Sequence, residues 1–447
     1  MTEQSADTPE LSHVAGPDVP VADVLAAVQG WIDGNLPAAW RAAGEAGGPA
    51  AVRRVRTPAE YRAWYPAYGR SGLVAAGWEV RYGGLAWPRP TAAAVERLVA
   101  RYHLPRLNPL GLNLAAPALF AHGTEEQRLR FLPPIVRAEE LWCQLFSEPG
   151  SGSDLASLST RAVRAGNGRA GNGRASGDGW VINGQKIWTT WADQASFAVL
   201  LARTDPDVPK HQGITYFLID MHQPGVQTRP LLHMGGEAEF FQVYLDGARV
   251  PDGQRVGAEG AGWKVAQATL GGERQMVSGA SSGGVDRVGG GSTRQLVRLA
   301  RKLSADGQPG GWDDPAMRGR IVRLYCEERV RGWTNQRVRD QAAAKRAPGP
   351  ESSIGKVHAA ELNQRVQAAA ADLLGAAGVA WPGDAGDPAD YPRSMPAEIR
   401  GMLRSRANTI EGGTSEVNRN VLGERVLGLP KEPDPWRGKP WRELPRS

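Results

Sequence analysis

The feature that most constrains the fold is a change of residue pattern at two places along the chain. From Val21 to Arg137, apolar residues recur every three or four positions, which predicts a series of helices. After Leu141 come short runs rich in β-branched and aromatic residues, separated by turn residues, among them WVINGQKIWTT, SFAVLLART and GITYFLIDM. The helical pattern returns at about Gly262. The sequence therefore predicts an α+β chain in which a small β-barrel or sandwich separates two helical parts.

The same pattern divides the 447 residues into segments. Within the β part, the tandem repeat RAGNGRAGNGRA at residues 164–175 predicts a mobile loop insertion, and the Asn183-Gly184 pair is typical of a hairpin turn. The predicted segments are a flexible tail (1–20), an N-terminal helical domain (21–140), a central β domain (141–260), a C-terminal helical domain (261–428) and an extended tail (429–447).

Composition excludes several classes of protein. Only two cysteines occur, Cys143 and Cys326, which excludes a disulfide framework and favours a reducing cytoplasm. No long uncharged apolar run and no signal-peptide pattern is present, so neither a membrane span nor export is expected. The net charge of +6 is spread among acids without a basic block, which argues against nucleic-acid binding. The seven histidines lack metal-ligand spacing, so no metal site is expected.

Several longer motifs occur in a fixed order. They are ALFAHGTEEQRLRFLPPIVRAEE, LWCQLFSEPGSGSDLASLST, GWVINGQKIWTTWADQASFAVLLART, GAGWKVAQATLGGER and RANTIEGGTSEVNRNVLGERVLGLP. With these motifs the chain resembles the acyl-CoA dehydrogenase family over roughly residues 20 to 428. The stretch SADGQPGGWDDPAMRGR replaces the family's R-x-T-F-G motif and resembles an actinobacterial-type subset. The resemblance implies an N-terminal helical domain, a central β domain and a C-terminal four-helix bundle.

The resemblance also implies a reaction. Members hold FAD, remove a proton from the carbon α to a thioester and transfer a hydride from the β carbon to flavin N5, giving a 2,3-enoyl product. The expected partners are an acyl-CoA or acyl-carrier thioester, an electron-transfer flavoprotein or similar acceptor, and further copies in a homodimer or homotetramer. A heterotetramer, in which this chain is a low-activity partner subunit, and a flavin monooxygenase or oxidase on the same fold stay open as alternatives.

Site residues follow from the matching motif positions. Gly and Pro residues in QLFSEPGSGS let backbone amides approach a flavin, although a plain turn would use them too. Trp188 is alternatively a core tryptophan, and Thr414 a plain helix cap. The substrate positions by resemblance are Ser153, Arg274 and Gly412. The cofactor positions by resemblance are Gln144, Phe146, Ser147, Ser153, Trp188, Thr189, Thr190, Leu374, Gly375, Thr414 and Glu416.

The catalytic base has two candidates. Many members carry the base immediately before the Gly-Thr pair, and that position is Gly412 here. Isovaleryl- and long-chain-type members carry it on an earlier helix, and the matching residue is Glu273, which follows Gly271 and Gly272. Glu273 is therefore the expected base. Glu411, one residue before the usual position, is the alternative, and a chain without a competent base is a third possibility.

Overall fold

The structure is a computed structural model that describes residues 8–165, 179–278, 292–308, 310–343, 352–379 and 394–445. Most of the predicted mobile loop at 164–175 lies outside the described residues. Helices form the first part of the described chain, strands the middle and helices the last part, as the residue pattern predicts.

Six helices form the N-terminal part. Two of them begin with capping boxes: Thr57 bonds with Glu60, and Thr124 bonds with Gln127, as TPAE and GTEEQ predict. Tyr61 is buried in the core, and its ring packs against the Trp64 ring at 5.7 Å in a tilted arrangement. The helices are α1 (Val21–Asn35), α2 (Ala38–Val55), α3 (Pro58–Ser71), α4 (Arg89–Val99), α5 (Ala116–His122) and α6 (Glu125–Arg137).

Residues 8–20 are attached to this helical core, so the prediction of a flexible tail is wrong for them. Leu11 is buried, and the Trp31 indole donates to the Glu10 carboxylate at 2.8 Å. The Gly16 amide donates to the Leu85 carbonyl at 2.8 Å. The segment is mostly polar, which predicts a loose chain. Its apolar side chains, Leu11 above all, nevertheless pack against the core.

The central part is one eight-stranded sheet in the order β6-β7-β3-β2-β4-β5-β8, with β1 paired to β4. The Asn183-Gly184 pair lies inside β3 and not in a hairpin turn, so that prediction is wrong. A side chain at position 184 would collide with Thr160, which explains the glycine. The strands are β1 (Trp142–Leu145), β2 (Arg161–Arg164), β3 (Gly179–Thr190), β4 (Phe197–Arg203), β5 (Ile214–Asp220), β6 (Val226–Leu231), β7 (Phe240–Pro251) and β8 (Arg255–Val256).

Helices return after β8. Leu296, Ile321 and Leu362, from three different helices, belong to one buried cluster. The single helical region predicted over 400–426 is two helices, because Gly412 and Gly413 both take positive φ and break the chain between them. The helices are α7 (Gly262–Ser278), α8 (Thr293–Ala305), α9 (Pro315–Ala343), α10 (Ser352–Leu373), α11 (Ala397–Ser405) and α12 (Ser415–Arg425).

The C-terminal segment returns to the β domain. The guanidinium of Arg203 lies 4.3 Å from the centre of the Trp441 ring. The Trp441 indole donates to the Ser157 carbonyl at 3.3 Å, and its backbone amide donates to Val208 at 2.9 Å. Trp441 therefore fastens the segment to the loop before β2.

Candidate active site

The motif residues 144–153 begin at the end of β1 and fold back in a tight turn. The backbone amides of Glu148 and Ser151 each donate to the carbonyl of the other, at 2.9 and 3.0 Å. The Ser151 hydroxyl donates to the Asp154 carbonyl at 2.7 Å. Ser153 lies exposed at the tip of this turn. Because the turn is closed by its own bonds, its shape is set before any ligand binds.

A buried ion pair holds this turn against the sheet. The Lys186 ammonium, on β3, donates to the Glu148 carboxylate at 2.8 Å and to the Phe146 carbonyl at 2.9 Å. The same carboxylate accepts from the amides of Ser159 and Thr160, at 2.7 and 2.9 Å. Lys186 is fully buried and Glu148 nearly so. Burial alone would raise the pKa of Glu148, but Lys186 and these hydrogen bonds outweigh it and hold the pKa at about 2.

Trp188 leaves the regular strand and turns outwards. The pairing of β3 with β7 shifts register between Lys186 and Thr189, and Trp188 takes a positive φ of 63°. Its side chain is 55% exposed, with the Phe240 ring edge-on at 5.8 Å. The core-tryptophan alternative is therefore wrong. An L-residue in this backbone region is strained, and such strain concentrates at functional sites.

Trp188 and its neighbours lie beside the 144–153 turn. The Ile187 amide donates to the Ser147 carbonyl at 3.0 Å, which joins the two motifs directly. Thr189 is buried and Thr190 is half-buried. The fold therefore brings Ser147 together with Trp188, Thr189 and Thr190, which lie 41 to 43 residues later in the sequence.

Helix α7 brings Glu273 to the same place. The Gln144 amide nitrogen lies 3.5 Å from a Glu273 carboxylate oxygen. A side chain at Gly272 would collide with the Asn113 carbonyl, so glycine there lets α7 approach the turn at 111–115. The space beside Gly271 is open. The next residue, Arg274, lies on α7, but its side chain is outside the described part of the chain.

Glu411 is engaged in a different network. Its carboxylate accepts from Arg404 at 3.1 Å and from the Asn408 amide at 2.7 Å. Arg404 also bonds with Glu239 of the β domain. These contacts tie α11 to the sheet and to the connection that contains Gly412. Glu411 therefore has a structural role that accounts for its position.

The remaining motif residues lie on the C-terminal helices. Thr414 caps α12 by accepting from the Val417 amide at 3.1 Å, so the plain helix cap is present. Glu416 is exposed beside it. Leu374 and Gly375 lie where α10 ends. None of these residues has a described contact with the 144–153 turn, so the structure leaves their cofactor role a prediction.

The site fits FAD. Ser415 is buried, and its hydroxyl has no hydrogen-bond partner among the described residues. The same is true of the buried Thr189 hydroxyl. Trp188 presents a large aromatic face next to that threonine. Buried polar groups are normally satisfied, so these hydroxyls suit a bound group with donors and acceptors, and the indole suits a flat ring.

Other site classes find no support in the described residues. No cluster of three or more His, Cys, Asp or Glu side chains there could hold a metal ion. Within the same residues, each helix is too short or too polar to cross a membrane.

Family models match all three parts of this architecture. They describe the N-terminal, middle and C-terminal domains of acyl-CoA dehydrogenases and match residues 33–139, 143–247 and 260–427. Acyl-CoA dehydrogenase IpdE1 of Mycobacterium tuberculosis is 37% identical over 92% of this chain and 98% of its own. The chain belongs to the acyl-CoA dehydrogenase family. It is thus a member of a family of flavin-dependent oxidoreductases that bind FAD.

Further relatives of this acyl-CoA dehydrogenase include mycobacterial proteins and solved structures. FadE34 of Mycobacterium tuberculosis is 37% identical over 82% of this chain and 46% of its own. A solved structure titled Tcur3481-Tcur3483 steroid ACAD has a TM-score of 0.67 and 28% identity, covering 92% of this chain and 98% of that one. The ChsE4-ChsE5 complex from Mycobacterium tuberculosis has a TM-score of 0.63 and 26% identity, with the same coverage. The actinobacterial-type subset is therefore confirmed.

Two charged residues of the site were not found from the sequence. Lys186 follows the alternation of β3, and a lysine in such a strand normally points to solvent. Arg404 lies among many arginines in a helix. A signal was available for the first: Glu148, in the Gly- and Pro-rich motif, needs a cation wherever the turn is buried.

Proposed function

We propose that this chain is an FAD-dependent acyl-CoA dehydrogenase in which Glu273 removes the α proton of an acyl thioester. The observation that carries the proposal is the 3.5 Å approach of Gln144 to the Glu273 carboxylate. It brings the one acid of the GGER motif to the turn that resembles the family's flavin segment. Glu411, in contrast, is held by Arg404 and Asn408.

The chemistry sets the demands on these residues. A proton α to a thioester is weakly acidic, so its removal needs a positioned base and polarisation of the thioester carbonyl. FAD, when bound, supplies the acceptor for the β hydride. Gln144 donates towards Glu273 at 3.5 Å, which orients the carboxylate. Backbone amides of the tight turn at Glu148–Ser151 are rigidly held, so the segment can bind a ligand without reordering.

We further propose a bulky, ring-containing acyl group as the substrate, carried on CoA or on a carrier protein. One solved relative is titled a steroid ACAD. The space beside Gly271, two residues before the proposed base on α7, is also open. An electron-transfer flavoprotein is the proposed acceptor, because the family's reduced flavin needs one.

A second candidate is a subunit of a mixed complex. Two solved relatives are titled by two different chains, Tcur3481-Tcur3483 and ChsE4-ChsE5. The Gly412-Gly413 pair, where many family members place the base, also fits a chain that shares its work with a partner. The test is co-expression with a second member of the family. Higher activity at equal flavin content would favour this candidate over a homo-oligomer.

The test is anaerobic bleaching of the purified flavoprotein by a panel of acyl-CoA thioesters. Glu273→Gln should slow bleaching by about 10²- to 10⁴-fold while flavin content is unchanged. Glu411→Gln is the matched control and should keep the rate within a few fold. If Glu411→Gln abolishes bleaching and Glu273→Gln does not, the base assignment is wrong. If no thioester bleaches the flavin, the dehydrogenase proposal is wrong. Turnover that needs oxygen would indicate an oxidase or monooxygenase.

A further inference from the structure

A cavity of about 420 Å³ lies between α3, the 106–110 loop and the start of β1. Three arginines line it: Arg62, Arg106 and Arg137. No acidic side chain is among the described lining residues. Arg137 bonds with Glu139 at 2.8 Å, and Arg106 lies 4.0 Å from Glu96, so both guanidiniums are held in place from outside the cavity. The cavity therefore has three cationic side chains in its lining, two of which pair with glutamates that are not part of the lining.

Two buried hydrogen-bond donors in its wall lack acceptors. The Trp142 indole nitrogen, which can only donate, has no partner among the described residues. The Leu107 amide faces the Tyr65 oxygen, but the Tyr65 hydroxyl hydrogen finds no acceptor in the described part of the chain. Both residues are almost fully buried. Buried donors are normally satisfied, so the cavity suits a ligand rich in acceptor oxygens.

The cavity adjoins the proposed catalytic carboxylate along two segments. Trp142 and Gln144 lie two residues apart on one face of β1, which corresponds to about 7 Å. Gln144 contacts Glu273. On the other wall, Leu110 lines the cavity, and three residues later the Asn113 carbonyl abuts Gly272 of α7. Both segments therefore place the arginine-lined cavity close to the Glu273 carboxylate.

We propose that this cavity binds the far end of the acyl group, and that the substrate carries a carboxylate there. The inference rests on the proposed dehydrogenase function and specifies its substrate class. Arginine forks match the two oxygens of a carboxylate, and the buried Tyr65 and Trp142 donors belong to residues of the same wall. An acyl group that ends in a methyl group would leave three guanidiniums and two buried donors facing hydrocarbon.

The test uses pairs of acyl-CoA thioesters, linear and cyclohexyl, that differ only in ending with a carboxylate or a methyl group. Dissociation constants come from the change in flavin absorbance, and rates come from anaerobic bleaching. In at least one pair the carboxylate-ended thioester should bind roughly tenfold tighter or more. Arg106→Gln should reduce that preference to roughly threefold or less, without weakening the methyl-ended thioester. Tyr65→Phe keeps the ring and should give a smaller loss.

Arg70→Gln is the matched control, because Arg70 lies on α3 with the lining residues Arg62 and Tyr65 but pairs with Glu10 on the surface. It should leave the preference intact. A preference for methyl-ended thioesters in every pair, or one that Arg106→Gln leaves unchanged, overturns the proposal. Those outcomes differ from failure of the proposed function, in which thioesters bind but none bleaches the flavin. A neutral, ketone-ended thioester that binds as tightly as the carboxylate would also overturn it.

Discussion

Removal of Lys186 tests whether the buried ion pair holds the tight turn at Glu148–Ser151 against the sheet. Lys186→Met keeps the length of the side chain but leaves the Glu148 carboxylate buried beside it without its cation. It also removes the donor to the Phe146 carbonyl. Taking one partner from a buried ion pair costs about 3–5 kcal/mol. Domains are typically stable by only about 5–15 kcal/mol, so the variant should unfold at a much lower denaturant concentration.

The pH dependence of the free energy of unfolding gives a second estimate of what the Lys186–Glu148 pair contributes. Glu148 has a folded pKa of about 2 instead of 4.5, which corresponds to about 3 kcal/mol. Because the folded pKa is the lower one, this stability is present above pH 4.5 and is lost as the pH falls towards 2. In Lys186→Met the largest cause of the lowered pKa is gone, so this acid-dependent loss should become smaller.

The assay is urea unfolding of the flavin-loaded protein, followed by circular dichroism and flavin fluorescence between pH 3 and pH 7. Lys264→Met, an exposed lysine at the start of α7, is the control and should change stability by less than about 0.5 kcal/mol. Glu148→Gln combined with Lys186→Met removes both charges and should be less damaging than the single change. If Lys186→Met costs under about 1 kcal/mol, or keeps the full acid dependence, the buried pair does not hold the turn.

Two further predictions concern glycine and cysteine. Gly272→Ala should cost about 1–3 kcal/mol because its methyl group meets the Asn113 carbonyl, whereas Gly271→Ala, in open space, should stabilise by about 0.5–1 kcal/mol; equal midpoints in urea unfolding would contradict this. Burial raises the pKa of the Cys143 thiol and shields it, so a thiol reagent should modify only the exposed Cys326 in the folded protein and both thiols in urea; rapid native labelling of Cys143 would be inconsistent with the fold.

The sequence predicted what depends on local pattern. The order of helices, strands and helices follows from periodicity, and the Thr57 capping box follows from two residues three positions apart. The motif order identified the family. What failed depends on distant neighbours: Asn183-Gly184 is a turn signal in isolation, but Thr160 from another part of the chain makes it a strand position. The partner of Glu148 is likewise set by sheet pairing, which no short window of sequence contains.

Within the candidate site, the sequence predicted which residues take part but not all of their contacts. Glu273 was favoured over Glu411 by motif position alone, and the structure adds that Glu411 is bound by Arg404. Trp188 had two interpretations, because a strand pattern cannot show a register shift that turns one ring outwards. The cavity beside Trp142 has no sequence signal, since its walls come from four separated segments.

The Trp441 contact has a consequence for how the chain is made. Its indole meets a carbonyl 284 residues earlier, at Ser157. Ribosomes add about 5–20 residues each second, so Ser157 is synthesised on the order of 15 to 60 s before the residue that fastens its loop. During that time the Arg203 side chain lacks its aromatic cover. Slow translation or early truncation should therefore expose this loop to cellular proteases long before the helices that follow are complete.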